Sequence, residues 1–209
     1  MDERYRETLK IWDQLAGRYQ DSSTLDIFND SYDFLIQSCQ NQSPSILKLG
    51  SQPADMSKYL CGKLPSARLL VAELSSKMGS SVDWNIQDYK TKEMHIKQFS
   101  ELEGEFDVVI IGFGIPYLDE DDIAHLLSMA NRKLRTHGLL YLTYQQNHTK
   151  ELDLLRQDQL ISNDFIFSLI DQVGLSRLKH FQVLQTTEGK LIAKHEVLIT
   201  RKLDGEKEY

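Results

Sequence analysis

Short apolar segments alternate with longer amphipathic segments through most of this 209-residue chain. The clearest apolar segment is 106–112, where two valines and two isoleucines follow each other without a polar interruption. Runs of this kind are typical of strands that are buried on both faces. Further strands are predicted at residues 45–50, 67–73, 94–98 and 138–144. Strands that alternate with helices form a parallel sheet covered on both faces, so we predict a doubly wound α/β fold.

The segments between these strands carry helical signals of different strength. Asp119 is suited to cap a helix, because three acids follow it and basic residues end the apolar stripe that begins at Ile123. A further helix is predicted over 162–173, stopped by Gly174. Segment 76–92 fits either a helix or a strand, and we favour a helix there.

Both ends of the chain depart from the alternation. Residues 1–43 hold two amphipathic patterns, which predict an N-terminal helical cap. Two apolar segments flank Glu188-Gly189-Lys190 and predict an antiparallel hairpin. The length suits one core better than two, so we expect a single domain over residues 1–209. Its α/β core spans 44–202, with a tail at 203–209 and a mostly parallel sheet of seven strands.

Charge and composition restrict the partners that can be expected. Lys and Arg total 24 against 31 Asp and Glu, so the net charge of -7 disfavours nucleic acid as a partner. The longest apolar runs are too short to cross a membrane, and the charged N-terminus does not resemble a secretion signal. Cys39 and Cys61 lack the spacing of metal ligands, so we expect reduced thiols, no metal site and a cytoplasmic protein.

Several segments together resemble the class I S-adenosylmethionine-dependent methyltransferases. Residues 12–19 resemble the cap helix of that family, 46–50 its first strand and glycine, 73–78 its acid-bearing turn, and 106–109 and 134–141 its fourth and fifth strands. The resemblance implies a Rossmann-like methyltransferase fold that binds S-adenosylmethionine across the strand ends.

The resemblance also implies a set of cofactor-binding residues. Gly50 would let the backbone approach the methionine part of the cofactor, and Glu73 would accept hydrogen bonds from both ribose hydroxyls. Gln98 would lie near the adenine. The same resemblance adds the neighbours of these residues and the loop after strand four, namely Ser51, Gln52, Leu74 and Phe113.

The first loop departs from the family pattern of an acid followed by three alternating glycines. The corresponding positions hold Lys48, Gly50, Gln52 and Ala54. Side chains at glycine positions crowd the ligand, and a lysine in place of the acid repels the α-ammonium group of the cofactor by up to about 4 kcal/mol. We therefore expect weakened or lost cofactor binding, unless the lysine turns its head to water or pairs with the cofactor carboxylate.

Candidates for the acceptor site are few. Tyr117 could lie near the acceptor, although a loop with packing aromatics explains it equally well. Trp12 and Tyr19, with Tyr32, could line a lid over the pocket, but packing of the cap explains them at least as well. His148 and His137 are weak candidates for a general base, since a lone histidine is usually a surface residue.

Two functions remain open from the sequence. The first is methyl transfer from S-adenosylmethionine to a small molecule, with positioning as the main source of catalysis. The second is a pseudoenzyme that keeps the fold and binds another ligand or a protein partner. Nothing in the sequence indicates the acceptor or the oligomeric state.

Overall fold

A computed structural model describes most of the chain at the level of individual residues. The described residues are 26–50, 54–73, 89–93, 99, 101–112, 115, 118–145, 161–187 and 190–204. They form four α-helices and seven strands, preceded by a short 3₁₀ turn at Asp26–Phe28. The helices are α1 (Asn29–Ser38), α2 (Ala54–Lys63), α3 (Glu120–Lys133) and α4 (Asn163–Gln172). The strands are β1 (Ser45–Leu49), β2 (Arg68–Glu73), β3 (Tyr89–Glu93), β4 (Phe106–Ile111), β5 (Leu134–Gln145), β6 (Leu175–Thr187) and β7 (Lys190–Lys202).

All seven strands belong to one sheet in the order β3-β2-β1-β4-β5-β7-β6. β1 to β5 pair in parallel, whereas β7 pairs antiparallel with both β5 and β6. The α/β class and the terminal hairpin are confirmed, but the expectation of a mostly parallel sheet is wrong. The sheet is mixed, because the chain adds β6 and β7 beside β5 as a long antiparallel hairpin.

Each face of the sheet is covered by helices. One apolar layer joins α1 and α2 to the sheet through buried residues such as Tyr32, Leu35 and Leu60. The other layer joins α3 and α4 to the opposite face, with Leu127 and Ile166 fully buried. Alternate residues of each strand enter the two layers, as expected for a sheet that is buried on both sides.

The helix boundaries on the second face agree with the capping residues in the sequence. The Asp119 carboxylate accepts a hydrogen bond from the backbone N–H of Asp122 at 2.8 Å. Ser162 caps α4 in the same way, accepting from the N–H of Phe165 at 3.1 Å. Gly174, with a φ of 75°, follows the end of α4. These two helix predictions are confirmed.

The region before β4 differs from its prediction. Residues 89–93 form a strand, so the helix expected over 76–92 is wrong in its last part. β3 is an edge strand of the sheet and its sequence is mostly polar, which removes the apolar signal of the central strands. The third strand expected at 94–98 lies outside the described residues, as do residues 76–88.

Only the second half of the predicted cap can be compared with the structure. α1 packs beside the sheet rather than standing apart from it, because Tyr32 contacts Tyr141 of β5 with ring centroids 5.8 Å apart. The first cap helix falls among residues 1–25, which the structure does not describe. The helical cap over 1–43 and the single-domain division of 1–209 therefore stay predictions. Among the described helices, none has the length and apolar character needed to cross a membrane.

Candidate functional site

A crevice is expected where the carboxyl ends of β1 and β4 meet. β1 lies between β2 and β4, and the chain enters these two neighbours through connections that lead to opposite sides of β1. In doubly wound sheets such a switch point opens a crevice beyond the strand ends, and ligands bind there. Gly50 directly follows β1 and Gly112 directly follows β4. These two glycines therefore mark the walls of the candidate site.

Gly50 brings bare backbone to this crevice. Its φ of +84° is a conformation that other residues rarely adopt. Its N–H donates to the carbonyl of Ala72 at 2.8 Å, which extends the pairing of β1 with β2 by one residue. A Cβ atom added at Gly50 would lie 3.7 Å from the carbonyl oxygen of Gly112, with no other described atom within 4 Å. A ligand could thus approach the backbone closely here.

Glu73 is the last residue of β2 and lies one strand away from Gly50. Only 7% of its surface is exposed. Side chains alternate along a strand, so Glu73 lies on the same face as Val71, which pairs with Lys48 of β1. A carboxylate at this position can accept two parallel donors, as a pair of ribose hydroxyls would offer.

Lys48 is the unusual residue of the site. It lies between Val71 and Ile110 in the centre of the sheet and is 0% exposed. Its Nζ donates to the carbonyl oxygen of Gly50 at 2.6 Å. Loss of hydration lowers the pKa of Lys48 from 10.5 to about 7, although the nearby charge of Glu73 opposes this shift. The lysine head is therefore held under the glycine turn and does not reach water.

The structure brings together two of the predicted cofactor residues, Gly50 and Glu73, at neighbouring strand ends. The other predicted site residues lie outside the described ranges, so their roles stay predictions. They are Ser51, Gln52, Leu74, Gln98 and Phe113 for the cofactor, Trp12, Tyr19 and Tyr117 for the acceptor, and His148 for catalysis.

Of two further candidates, His137 lies away from the crevice and Tyr32 lies in the core. His137 lies near the start of β5, whereas the crevice lies at the carboxyl ends of the parallel strands. Its Nε2 is 3.5 Å from the carboxylate of Asp204. Tyr32 is 1% exposed and packs against Tyr59 and Tyr141, which favours its role in packing over a role in a lid.

Sequence reasoning missed a polar cluster on the terminal hairpin. Glu196 of β7 is fully buried and contacts the Nε2 of His180 at 2.6 Å. Gln182 donates to the same carboxylate at 3.3 Å, and the Nζ of Lys194 lies 3.4 Å from it. The contacts of His180 and Gln182 with Glu196 join β6 to β7. The signal lay in the hairpin register, which pairs Gln182 with Glu196.

Comparison with known proteins gives a result for structure but not for sequence. No protein-family model matches the sequence. No curated protein is significantly similar to it. Many solved structures, in contrast, match the fold.

Three of these structures show how far the likeness extends. N-methyltransferase NodS from Bradyrhizobium japonicum WM9, in complex with S-adenosylhomocysteine, has a TM-score of 0.68 and 13% identity, covering 96% of this chain and 99% of its own. Magnesium protoporphyrin IX methyltransferase ChlM from Synechocystis PCC 6803, with the same ligand, has a TM-score of 0.74 and 11% identity, covering 96% and 100%. The Burkholderia thailandensis 1,6-didemethyltoxoflavin-N1-methyltransferase has a TM-score of 0.68 and 14% identity, covering 95% and 90%.

These proteins act on different substrates, and their low identity to this chain restricts the conclusion to the fold. The likeness covers nearly the whole of both chains. This protein has the fold of the class I S-adenosylmethionine-dependent methyltransferases.

Proposed function

We propose that this chain is a methyltransferase that uses S-adenosylmethionine and transfers a methyl group to a small molecule. The proposal is supported by the fold, since structures that match it were crystallised with S-adenosylmethionine or S-adenosylhomocysteine. It is also supported by the net charge of -7, which argues against a nucleic acid as the acceptor. The free thiols of Cys39 and Cys61 agree with a cytoplasmic protein.

One observation carries the proposal, namely the juxtaposition of Gly50 and Glu73 at neighbouring strand ends. Adjacent strands lie about 4.8 Å apart, so one nucleoside can reach both residues. Glu73 would bind the ribose hydroxyls, and the Gly50 turn would leave room for the tail of the cofactor. The cofactor supplies a methyl group on a sulfonium, which is a strong electrophile. The task left to the chain is to orient an acceptor in line with it and to exclude water.

A second function is favoured by Lys48. Its ammonium group already donates to the carbonyl of Gly50, at the place where a cofactor tail would bind. A pseudoenzyme with this fold, which binds another ligand or a protein partner, would tolerate such a lysine. The two functions differ in whether an adenosyl ligand binds at all.

The experiment titrates the protein with S-adenosylhomocysteine and measures binding by thermal shift and by calorimetry. The wild type is expected to be stabilised by the ligand, since a ligand that binds only the native state raises its stability. Glu73→Gln should weaken binding roughly tenfold or more, because it removes charged hydrogen bonds to the ribose. Asp121→Asn, at an exposed acid of α3, is the matched control and should bind like the wild type.

The outcomes separate the two functions. Unchanged affinity in Glu73→Gln would contradict the assigned nucleoside orientation. No stabilisation of the wild type at millimolar ligand would contradict the methyltransferase and support the pseudoenzyme.

A further inference from the structure

Lys48 places its ammonium group beneath the Gly50 turn, at the wall of the candidate crevice. The residue is fully buried in the central strand of the sheet, and its Nζ is fixed on the Gly50 carbonyl oxygen at 2.6 Å. The wall formed by β1 therefore carries the ammonium group of Lys48 directly beneath the Gly50 turn.

The neighbouring strand end has the opposite charge. Glu73 lies at the end of β2, and its charge acts on Lys48. Its carboxylate accepts hydrogen bonds, whereas the lysine donates them. The crevice thus offers an acceptor for hydroxyl groups at β2 and a positive charge at β1. A ligand that spans both should carry hydroxyls at one end and a negative charge at the other.

The lysine also changes what the Gly50 carbonyl can do. This oxygen has two lone pairs, and Lys48 already occupies one of them. An ammonium group of a ligand at the turn would have to donate to the second lone pair. It would then lie beside the like charge of Lys48 in a poorly hydrated environment. A ligand carboxylate at the same place would be attracted to the lysine.

We propose that the crevice selects adenosyl ligands whose tail ends in a carboxylate without a neighbouring ammonium group. The inference rests on the proposed function, because it assumes that an adenosyl ligand binds at Gly50 and Glu73. Among the adenosyl thioethers and sulfonium compounds, it restricts the expected ligands to those with this tail. The ammonium group of Lys48 then takes the place of the α-ammonium group that S-adenosylmethionine carries.

The test compares three ligands by calorimetry on the full chain at pH 6, where Lys48 carries its charge because its pKa is about 7. They are S-adenosylhomocysteine, its deaminated analogue that keeps the carboxylate, and methylthioadenosine, which has neither group. The deaminated analogue is expected to bind roughly tenfold more tightly than S-adenosylhomocysteine and than methylthioadenosine. Lys48→Met should abolish this preference. Lys58→Met removes an exposed lysine from α2 and should leave the preference unchanged.

The ranking in the wild type decides the question even if Lys48→Met fails to fold. Equal or tighter binding of S-adenosylhomocysteine would overturn the inference while the proposed function stands. Failure of all three ligands to bind would overturn the proposed function, and the inference with it.

Discussion

Lys48 has a charge that does not fit its environment. A lysine usually buries its aliphatic stem and keeps its head in water. Lys48 is instead 0% exposed, in the central strand β1 between β2 and β4. The head donates to Gly50, and burial lowers its pKa to about 7. An unfavourable group retained in the centre of a sheet suggests a role in ligand binding.

Replacement of this lysine by methionine should stabilise the protein near neutral pH. Methionine has a similar shape without the charge, and such replacements at buried ionic sites stabilise by about 1–4 kcal/mol. The pKa of Lys48 falls from 10.5 to about 7 on folding, so the unfolded chain binds more protons between these values. Wild-type stability should therefore rise between pH 7 and 9, by up to about 1.4 kcal/mol per pH unit.

Chemical denaturation of wild type and Lys48→Met at several pH values measures both effects. In Lys48→Met, the part of the slope of stability against pH that comes from Lys48 should be absent. Lys58→Met, at an exposed position, should keep the wild-type slope. Parallel slopes in the wild type and Lys48→Met would contradict the lowered pKa.

At the scale of elements, helix α3 was easier to predict than the edge strand β3. α3 has a complete local signal, with Asp119 as its cap, acids in the first turn and basic residues in the last. Each of these features acts within one or two turns of the helix, so the sequence contains it. β3 lacks such a signal, because an edge strand is stabilised by its one neighbour, β2, and its residues need not be apolar.

Loss of the α3 cap should have a measurable effect. Asp119→Ala removes the acceptor for the N–H of Asp122 and should lower stability by about 1 kcal/mol. For a chain of this size, that corresponds to a fall in Tm of about 2–4 °C. Asp119→Ser keeps a capping oxygen and should stay close to the wild type. Equal losses in both variants would show that the capping bond is not the cause.

At the scale of the whole molecule, the terminal hairpin joins the two ends of the fold. His195 of β7 pairs with Gln145 of β5 and Val183 of β6. It is 6% exposed, and its ring centroid lies 5.4 Å from that of Phe28, before α1. Its Nε2 lies 3.0 Å from the side-chain oxygen of Gln185. A charge on this ring would disturb contacts between segments from both ends of the described chain.

Stability should therefore fall in moderate acid. Burial lowers the pKa of His195 from 6.5 to about 4. Between these values the unfolded chain binds the proton and the folded chain does not, so this contribution is complete above pH 6.5 and is lost as the pH falls towards 4. The loss should reach about 3 kcal/mol in denaturation experiments at pH 4–7.

A comparison of two histidine variants tests the assignment. His195→Gln should reduce the slope of stability against pH in this window, whatever its effect on stability at neutral pH. His125→Gln, at an exposed position of α3, should keep the slope. If His195→Gln kept the wild-type slope, the loss of stability in acid would have to come from other groups.

The sequence by itself determined the alternation of strands and helices, the capped ends of α3 and α4, the terminal hairpin and the strand-end positions of Gly50 and Glu73. These features depend on the spacing of neighbouring residues. The tertiary structure decided the strand order, which encloses Lys48 between β2 and β4, leaves β3 at an edge and makes the sheet mixed. Strand order arises from contacts between segments far apart in the chain, and no local pattern records which segments will meet.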